Sequence, residues 1–291
     1  WVVLFFGAVG IDHVLGFFRI WEIPRSQVDA LLGHFSPSMP LSPNDINMRG
    51  LTFRHQFMTK PFVNWRVLTK IFGIHAEYVR NTYLVEKDYG MYELRSEFDT
   101  QRKIFNAFNG RNDENSVWIR DGLCRLVANV LFVEDPKWQG MYHPRVRAYN
   151  APVFEALTSE ERQAYMAIYN DYFYERHNEM WGGLAYRKLS SVLDRTRMLV
   201  TSEDLGVLPE CVQPTLDALR ILTLEVQTLP KQDGVEFSHL EANPYLSVAT
   251  ISTHDMHPLR LWWQEKPEAA QHYYRERMQK EGRAPQALTT T

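Results

Sequence analysis

Cysteine is nearly missing from this 291-residue chain, which holds only Cys124 and Cys211. With no C-x-x-C pair and no metal-ligand spacing, a disulfide framework and a thiolate metal site are excluded, and a reducing, cytoplasmic compartment is expected. Excess positive charge is missing too, because the formal net charge is -3. That leaves no electrostatic case for nucleic acid or an anionic membrane surface as partner. No apolar run reaches the roughly 20 residues of a membrane helix, and no basic leader with a small-residue cleavage site opens the chain. The full G-x-G-x-x-G pattern is absent as well. Gly7-Ala8-Val9-Gly10 carries part of it, but Gly16 and Pro24 leave little room for the helix that a dinucleotide loop should open. Internal repeats and low-complexity tracts do not stand out. What remains is an ordinary globular composition, 45% apolar and 23% charged, long enough for one barrel or two smaller domains. A neutral, polar ligand fits it best.

Against these absences stand three carboxylates, each placed after an apolar strand-like run. Asp12 follows Val2-Val3-Leu4-Phe5-Phe6 and a short glycine-containing step, Glu203 follows Met198-Leu199-Val200-Thr201-Ser202, and Asp255 follows the run from Leu246 to His254. Parallel α/β barrels gather their chemistry at the carboxyl ends of the strands. Paired carboxylates are the working groups of glycoside chemistry, so an acid at each of three strand ends is a candidate site. Each acid alone also reads as a turn or helix cap.

Along the chain, residues 1–24 read as a strand and then a loop. The apolar start at Trp1, with no polar lead-in, suggests a chain that begins inside a buried strand, hence a piece of a longer protein. Residues 35–43 form a Pro/Ser-rich, linker-like stretch. From 25 to 196 helical patterns dominate. Met91, Leu94, Phe98, Phe105 and Phe108 share one helical face that ends at Gly110. Thr158-Ser159-Glu160-Glu161 sets a capping-box start before the aromatic face of Tyr165, Ile168, Tyr169 and Tyr172, which reads as core. From 197 to 291 the rhythm becomes strand (198–201), helix (209–219), strand (222–227), strand (246–252) and one long amphipathic helix (258–280), which implies parallel sheet.

The sequences around the acids resemble the 4-alpha-glucanotransferases of glycoside hydrolase family 77. Ile11-Asp12-His13-Val14-Leu15-Gly16-Phe17-Phe18-Arg19-Ile20-Trp21-Glu22 is similar to the family's nucleophile region, Ser202-Glu203-Asp204-Leu205-Gly206-Val207 to its acid/base region, and Ser252-Thr253-His254-Asp255 to its third acidic region. Three motifs in family order are far more specific than one. The stretch from Leu15 to Glu22 looks nearest to the family's maltose-using, disproportionating branch. The resemblance implies an α/β fold, a fragment of a (β/α)8 TIM barrel comprising about strands four to seven, with residues 25–196 as a mainly helical insertion between strands four and five. It implies Asp12 as nucleophile, Glu203 as general acid/base and Asp255 as the third acid, with His254, His13 and Trp21 in contact with substrate. Maltose, malto-oligosaccharides and larger alpha-glucans are the implied partners, with neither metal nor organic cofactor.

Two other readings share these residues. A hydrolase would pass the same glucosyl group to water. A catalytically weakened glucan-binding homologue is suggested by Gly10, which stands where the family carries an arginine beside its nucleophile; Gly7 stands where the branch carries an aspartate. His254-Asp255-Met256-His257 also has the look of metal ligands, but no third histidine or cysteine lies nearby in sequence. His13 and Asp204 adjoin the acids, yet neighbouring strand residues face opposite ways, so either can be structural. Trp21, Trp262 and Trp263 are stacking candidates, with burial the expected fate of at least two.

Overall fold

The computed structural model describes residues 5–232 and 234–288. The chain divides into two compact units, one made of Trp1–Phe18 with Asn178–Thr291 and the other of Arg19–His177.

The first unit holds the strand-end acids. Strand Ala8–Ile11 runs parallel to Leu199–Ser202, with Gly10 opposite Thr201. Ser202 N–H donates to Leu222 O and Leu222 N–H to Val200 O, which brings in strand Thr223–Val226. That strand lies parallel to Ser247–Thr250. These short parallel strands alternate with helices Val212–Leu219, Leu259–Glu265 and Pro267–Glu276, the α/β rhythm expected of crossover connections. No closed barrel is seen among the described residues.

Two expectations shift here, and a reading already disfavoured falls. The strand directly before Asp12 is Ala8–Ile11; of the apolar run before it, Val2, Val3 and Leu4 lie outside the described residues, and Phe5 and Phe6 are exposed. Pairing with Leu199–Ser202 selects the register, and the glycine step is thereby drawn into the strand. The nucleotide-loop reading fails for the same reason, since the strand is followed by a turn and the short 3-10 segment Val14–Phe17 instead of a phosphate-facing helix. The single helix expected over 258–280 is two, broken at Lys266-Pro267, because proline offers no N–H to the preceding turn and its ring clashes there.

The second unit is helix-rich but also carries antiparallel hairpins. Strand Ile20–Glu22 pairs with His34–Ser36, Leu84–Glu86 with Tyr92–Leu94, and Phe132–Glu134 with Tyr142–Pro144. The continuous helix expected from Met91 to Phe108 is therefore a strand, a turn and helix Gln101–Ala107, started by the Thr100 side chain accepting from Lys103 N–H. The apolar spacing is real, since Leu94, Phe98, Phe105 and Phe108 enter one core; the positive φ of Tyr89 and Gly90 makes the hairpin turn that breaks the helix. The Pro/Ser stretch is no solvent linker either, as Leu41 is fully buried and bridges Tyr142. The capping box forms as read, with Thr158 capping helix Ser159–Asn170 and Glu161 returning the bond.

A buried polar chain crosses this unit's core. Asp135 Oδ1 accepts the N–H groups of Lys137 and Trp138, and its Oδ2 lies 2.8 Å from His143 Nε2. Because a carboxylate only accepts, Nε2 carries the imidazole proton and Nδ1 accepts from Tyr172 Oη at 2.8 Å. Burial, and then neighbouring His34, push His143 down to about 4. Burial pulls Asp135 the other way, but its two backbone donors and His143 hold it below the usual carboxylate range.

Candidate active site

The parallel pairing that builds the first unit also sets its acids side by side. Glu203 N–H donates to Ile11 O at 2.8 Å, and Val14 N–H donates to Glu203 O at 3.1 Å. The ends of the two strands are thus stitched together on either side of Asp12. His13 adopts a left-handed backbone (φ 46), uncommon for a residue with a side chain. This turn aims its N–H at Glu203 Oε2, 3.2 Å away. It is thus the main chain of His13 that reaches Glu203.

Asp12 and Glu203 share a side-chain hydrogen bond, and it polarises the pair. That bond, followed by partial burial, raises Glu203 above the ordinary glutamate range. The same bond, helped by the charge of His254, lowers Asp12. At neutral pH the pair is thus biased toward an ionised Asp12 and a Glu203 that holds its proton more tightly, opposite environments for two carboxyl groups at one site.

His254 completes the group. Its Nε2 lies 3.9 Å from Asp12 Oδ1 and 3.3 Å from Asp255 Oδ1. Donor atoms of Asp12, Glu203 and His254 all fall within 4.8 Å of one another. By distance alone these three could face a cation, but the bond between Asp12 and Glu203 already engages the two carboxyl groups. His257 turns instead toward Glu265, 3.8 Å away. The side chains of Asp12, His254 and Asp255 are 69%, 66% and 73% exposed, so the site is open to solvent. Beside Asp255 a cavity of about 440 Å³ is lined by Thr228, Ile251, His254, Trp262 and Glu265. Trp262 offers its ring there, whereas Trp263 is buried with its indole N–H on Pro285 O.

Trp21 belongs to the other unit. Its indole N–H donates to Ala30 O at 2.9 Å, and its ring packs edge-on against Phe35. The structure therefore gathers Asp12, Glu203, Asp255, His254 and the His13 main chain into one site and describes Trp21 in a separate setting.

One contributor, Lys231, was not visible in the sequence. Asp204, fully buried, accepts Leu224 N–H at 2.9 Å and Lys231 Nζ at 2.6 Å, and Lys231 also reaches Glu225 at 2.7 Å. Burial raises Asp204 despite those donors. This clamp ties the residue after Glu203 to the next strand. Nothing in a loop lysine's sequence context announces such a role.

Comparison with known proteins places the chain in a lineage. The model of the 4-alpha-glucanotransferase family, glycoside hydrolase family 77, matches residues 2–291. The 4-alpha-glucanotransferase DPE2 of Oryza sativa subsp. japonica is 32% identical over 267 residues, which is 90% of this chain and 28% of the rice protein. A 4-alpha-glucanotransferase of Chlamydia muridarum is 36% identical over 85 residues, and one of Chlamydia caviae 38% over 88 residues, covering 28% and 29% of this chain and 16% of each relative. The chain thus spans well under a third of the length of these relatives. No solved structure matches it significantly. The match of the family model across nearly every residue establishes that the chain belongs to the 4-alpha-glucanotransferase family.

Proposed function

We propose that the chain carries the catalytic acids of a 4-alpha-glucanotransferase that works by retaining double displacement, within a fragment of a (β/α)8 barrel comprising about strands four to seven. The observation that carries this reading is the close, polarised pair of Asp12 and Glu203. Retaining glycosidases hold their two carboxyl groups about 5–5.5 Å apart, whereas inverting ones leave a wider gap for water; the separation under 4.8 Å between donor atoms belongs to the first class. Asp12 attacks the anomeric carbon and Glu203 protonates the departing glycosidic oxygen, so the donor bond breaks as a glucosyl ester forms on Asp12. In the second half Glu203 takes the proton of an acceptor hydroxyl, whose oxygen attacks the same carbon and frees Asp12. Asp255 and His254 hold sugar hydroxyls at this opening, and Trp262 offers a ring face for stacking. His13 holds Glu203 through its N–H.

Maltose or a short malto-oligosaccharide is the donor in this reading and a longer alpha-glucan the acceptor, with the cytoplasm as the setting and neither nucleic acid nor membrane as partner. Two free cysteines agree with a reducing compartment, and no described helix is long and apolar enough to cross a membrane. With maltose as sole substrate, free glucose should exceed new reducing ends, because each transfer makes one glucose and no net reducing end. Glucose and reducing ends rising in hydrolytic proportion would assign the acids to hydrolysis instead.

A second reading is favoured by Gly10. It leaves the face that carries Asp12 without the family's arginine, as expected of a glucan-binding homologue with weakened turnover. Calorimetric binding of malto-oligosaccharides with no product formed would select it.

A further inference from the structure

The second unit contains a pocket that the reaction does not use. It measures about 440 Å³ and is lined by Lys70, Arg125, Arg145 and Arg147, with Asp29 as the sole lining carboxylate and Ile71 and Pro152 as apolar wall. In a chain of net charge -3, four cations around one cavity are a local reversal of sign. Lys70 pairs with Glu155, but no carboxylate lies within ion-pair distance of Arg125, Arg145 or Arg147 among the described residues.

Arg145 makes the arrangement more than a surface cluster. Its side chain is 5% exposed, and its guanidinium is fixed by Nε on Val130 O at 3.3 Å and Nη1 on Val146 O at 3.1 Å. Those acceptors are neutral carbonyls, and Asp29, whose charge favours the Arg145 cation, lies beyond ion-pair distance. Buried charges are ordinarily paired, and leaving one unpaired is costly. Burial accordingly lowers Arg145 from its usual value. The main chain of Arg147 is fixed: its backbone is left-handed (φ 56) and its N–H donates to Tyr169 Oη at 3.1 Å. Arg125 projects from the last turn of helix Glu114–Val127.

We propose that this pocket binds a small phosphorylated sugar, with the phosphate on the arginines and the sugar hydroxyls toward Asp29. A single guanidinium fork satisfies a carboxylate, whereas a phosphate dianion has oxygens enough to engage several forks at once. A pocket of about 440 Å³ suits a monosaccharide phosphate rather than a polymer strand. Asp29 Oδ1 accepts Leu31 N–H, and Oδ2 remains for a ligand hydroxyl. The site is independent of the glucosyl-transfer reading, since none of its residues belongs to the strand-end acids.

The test is a 31P NMR and calorimetric titration of the chain with glucose 6-phosphate, inorganic phosphate and AMP. Glucose 6-phosphate should bind most tightly, inorganic phosphate more weakly, and both less well as salt rises. The double variant Arg125→Gln/Arg147→Gly removes two cations while glycine keeps the left-handed backbone. It should weaken glucose 6-phosphate binding at least tenfold, consistent with about 1.5–3 kcal/mol per charged hydrogen bond lost, and leave the melting temperature within about 2 °C. A 31P signal unmoved up to about 10 mM ligand, or equal binding by the double variant, overturns the site. Tighter binding of AMP than of glucose 6-phosphate overturns the sugar assignment.

Discussion

Single residues decide the chemistry. Asp12→Asn and Glu203→Gln should each lower transfer from maltose by several orders of magnitude, because in the proposed double displacement each is one of two required partners; initial rates of glucose release check both. The pH profile follows from the polarised pair. Rate should fall on the acid side as Asp12, whose value is lowered, takes a proton, and on the alkaline side as Glu203, whose value is raised, loses its own. In residual activity, Glu203→Gln should lose the alkaline limb and keep the acid one. Gly10 offers the opposite kind of test. It lies two residues before Asp12, on the same strand face, and a Cβ there would meet Thr201 Oγ1 at 3.3 Å, a contact that a small shift of the hydroxyl relieves. A preorganised donor at such a site is worth about 10²–10³ in rate, so Gly10→Arg should raise turnover at least tenfold. An unchanged rate would show that the His13 N–H and the bond between Asp12 and Glu203 already do the arginine's work.

At the level of elements, glycines inside helices report how closely neighbours approach. Gly122 sits in helix Glu114–Val127, and a Cβ there would overlap the ring of Phe72, which is 1% exposed and has nowhere to move. Gly183, exposed in helix Asn178–Leu193, would place its Cβ no nearer than 3.9 Å to the flexible end of Arg187. Gly122→Ala should therefore destabilise by about 1–3 kcal/mol through overpacking, and Gly183→Ala should stabilise by about 1 kcal/mol through helix propensity. Urea midpoints of the two variants, moving in opposite directions, check the pair. The same contrast explains what was legible in the sequence. Asp12, Glu203 and Asp255 could be singled out because strand ends carry a local signature, His254 because its motif resembles the family's, and the Thr158 cap because its four residues suffice. The hairpin at Tyr89-Gly90 could not, since its apolar spacing also fits a helix and only the turn decides. The Lys231 clamp on Asp204 and the arginine pocket stayed hidden because their members are scattered along the chain, and tertiary packing alone brings them together.

On the scale of the whole molecule, the two units should respond differently to acid. His143 and His177, both buried in the second unit, are held down to about 4. Unfolded histidine titrates near 6.5, so between about pH 6.5 and 4 the unfolded state binds more protons than the folded one. Stability is lost as pH falls through that window, by on the order of 3 kcal/mol for each histidine at its end. The groups facing His143 are Asp135, His34, Tyr172 and Arg176, and Asp135 stays ionised through most of the range. Thermal melts from pH 7 to 4 should show a steep fall in the second unit's transition, and His143→Gln should flatten it by about half.

The pairing of Ala8–Ile11 with Leu199–Ser202 bears on the order in which the protein is made. His13 and Glu203 are 190 residues apart, and everything from Arg19 to His177 leaves the ribosome before the partner strand exists. Domains generally fold as units during synthesis, so the second unit is free to form while Asp12 still waits for its partner. Closing so long a loop costs more the longer its disordered span, by about 0.6 kcal/mol per doubling, and prior folding of the intervening residues shortens that span. The acids thus meet last, and a nascent chain arrested before Leu199 should hold a protease-resistant second unit and no site at all.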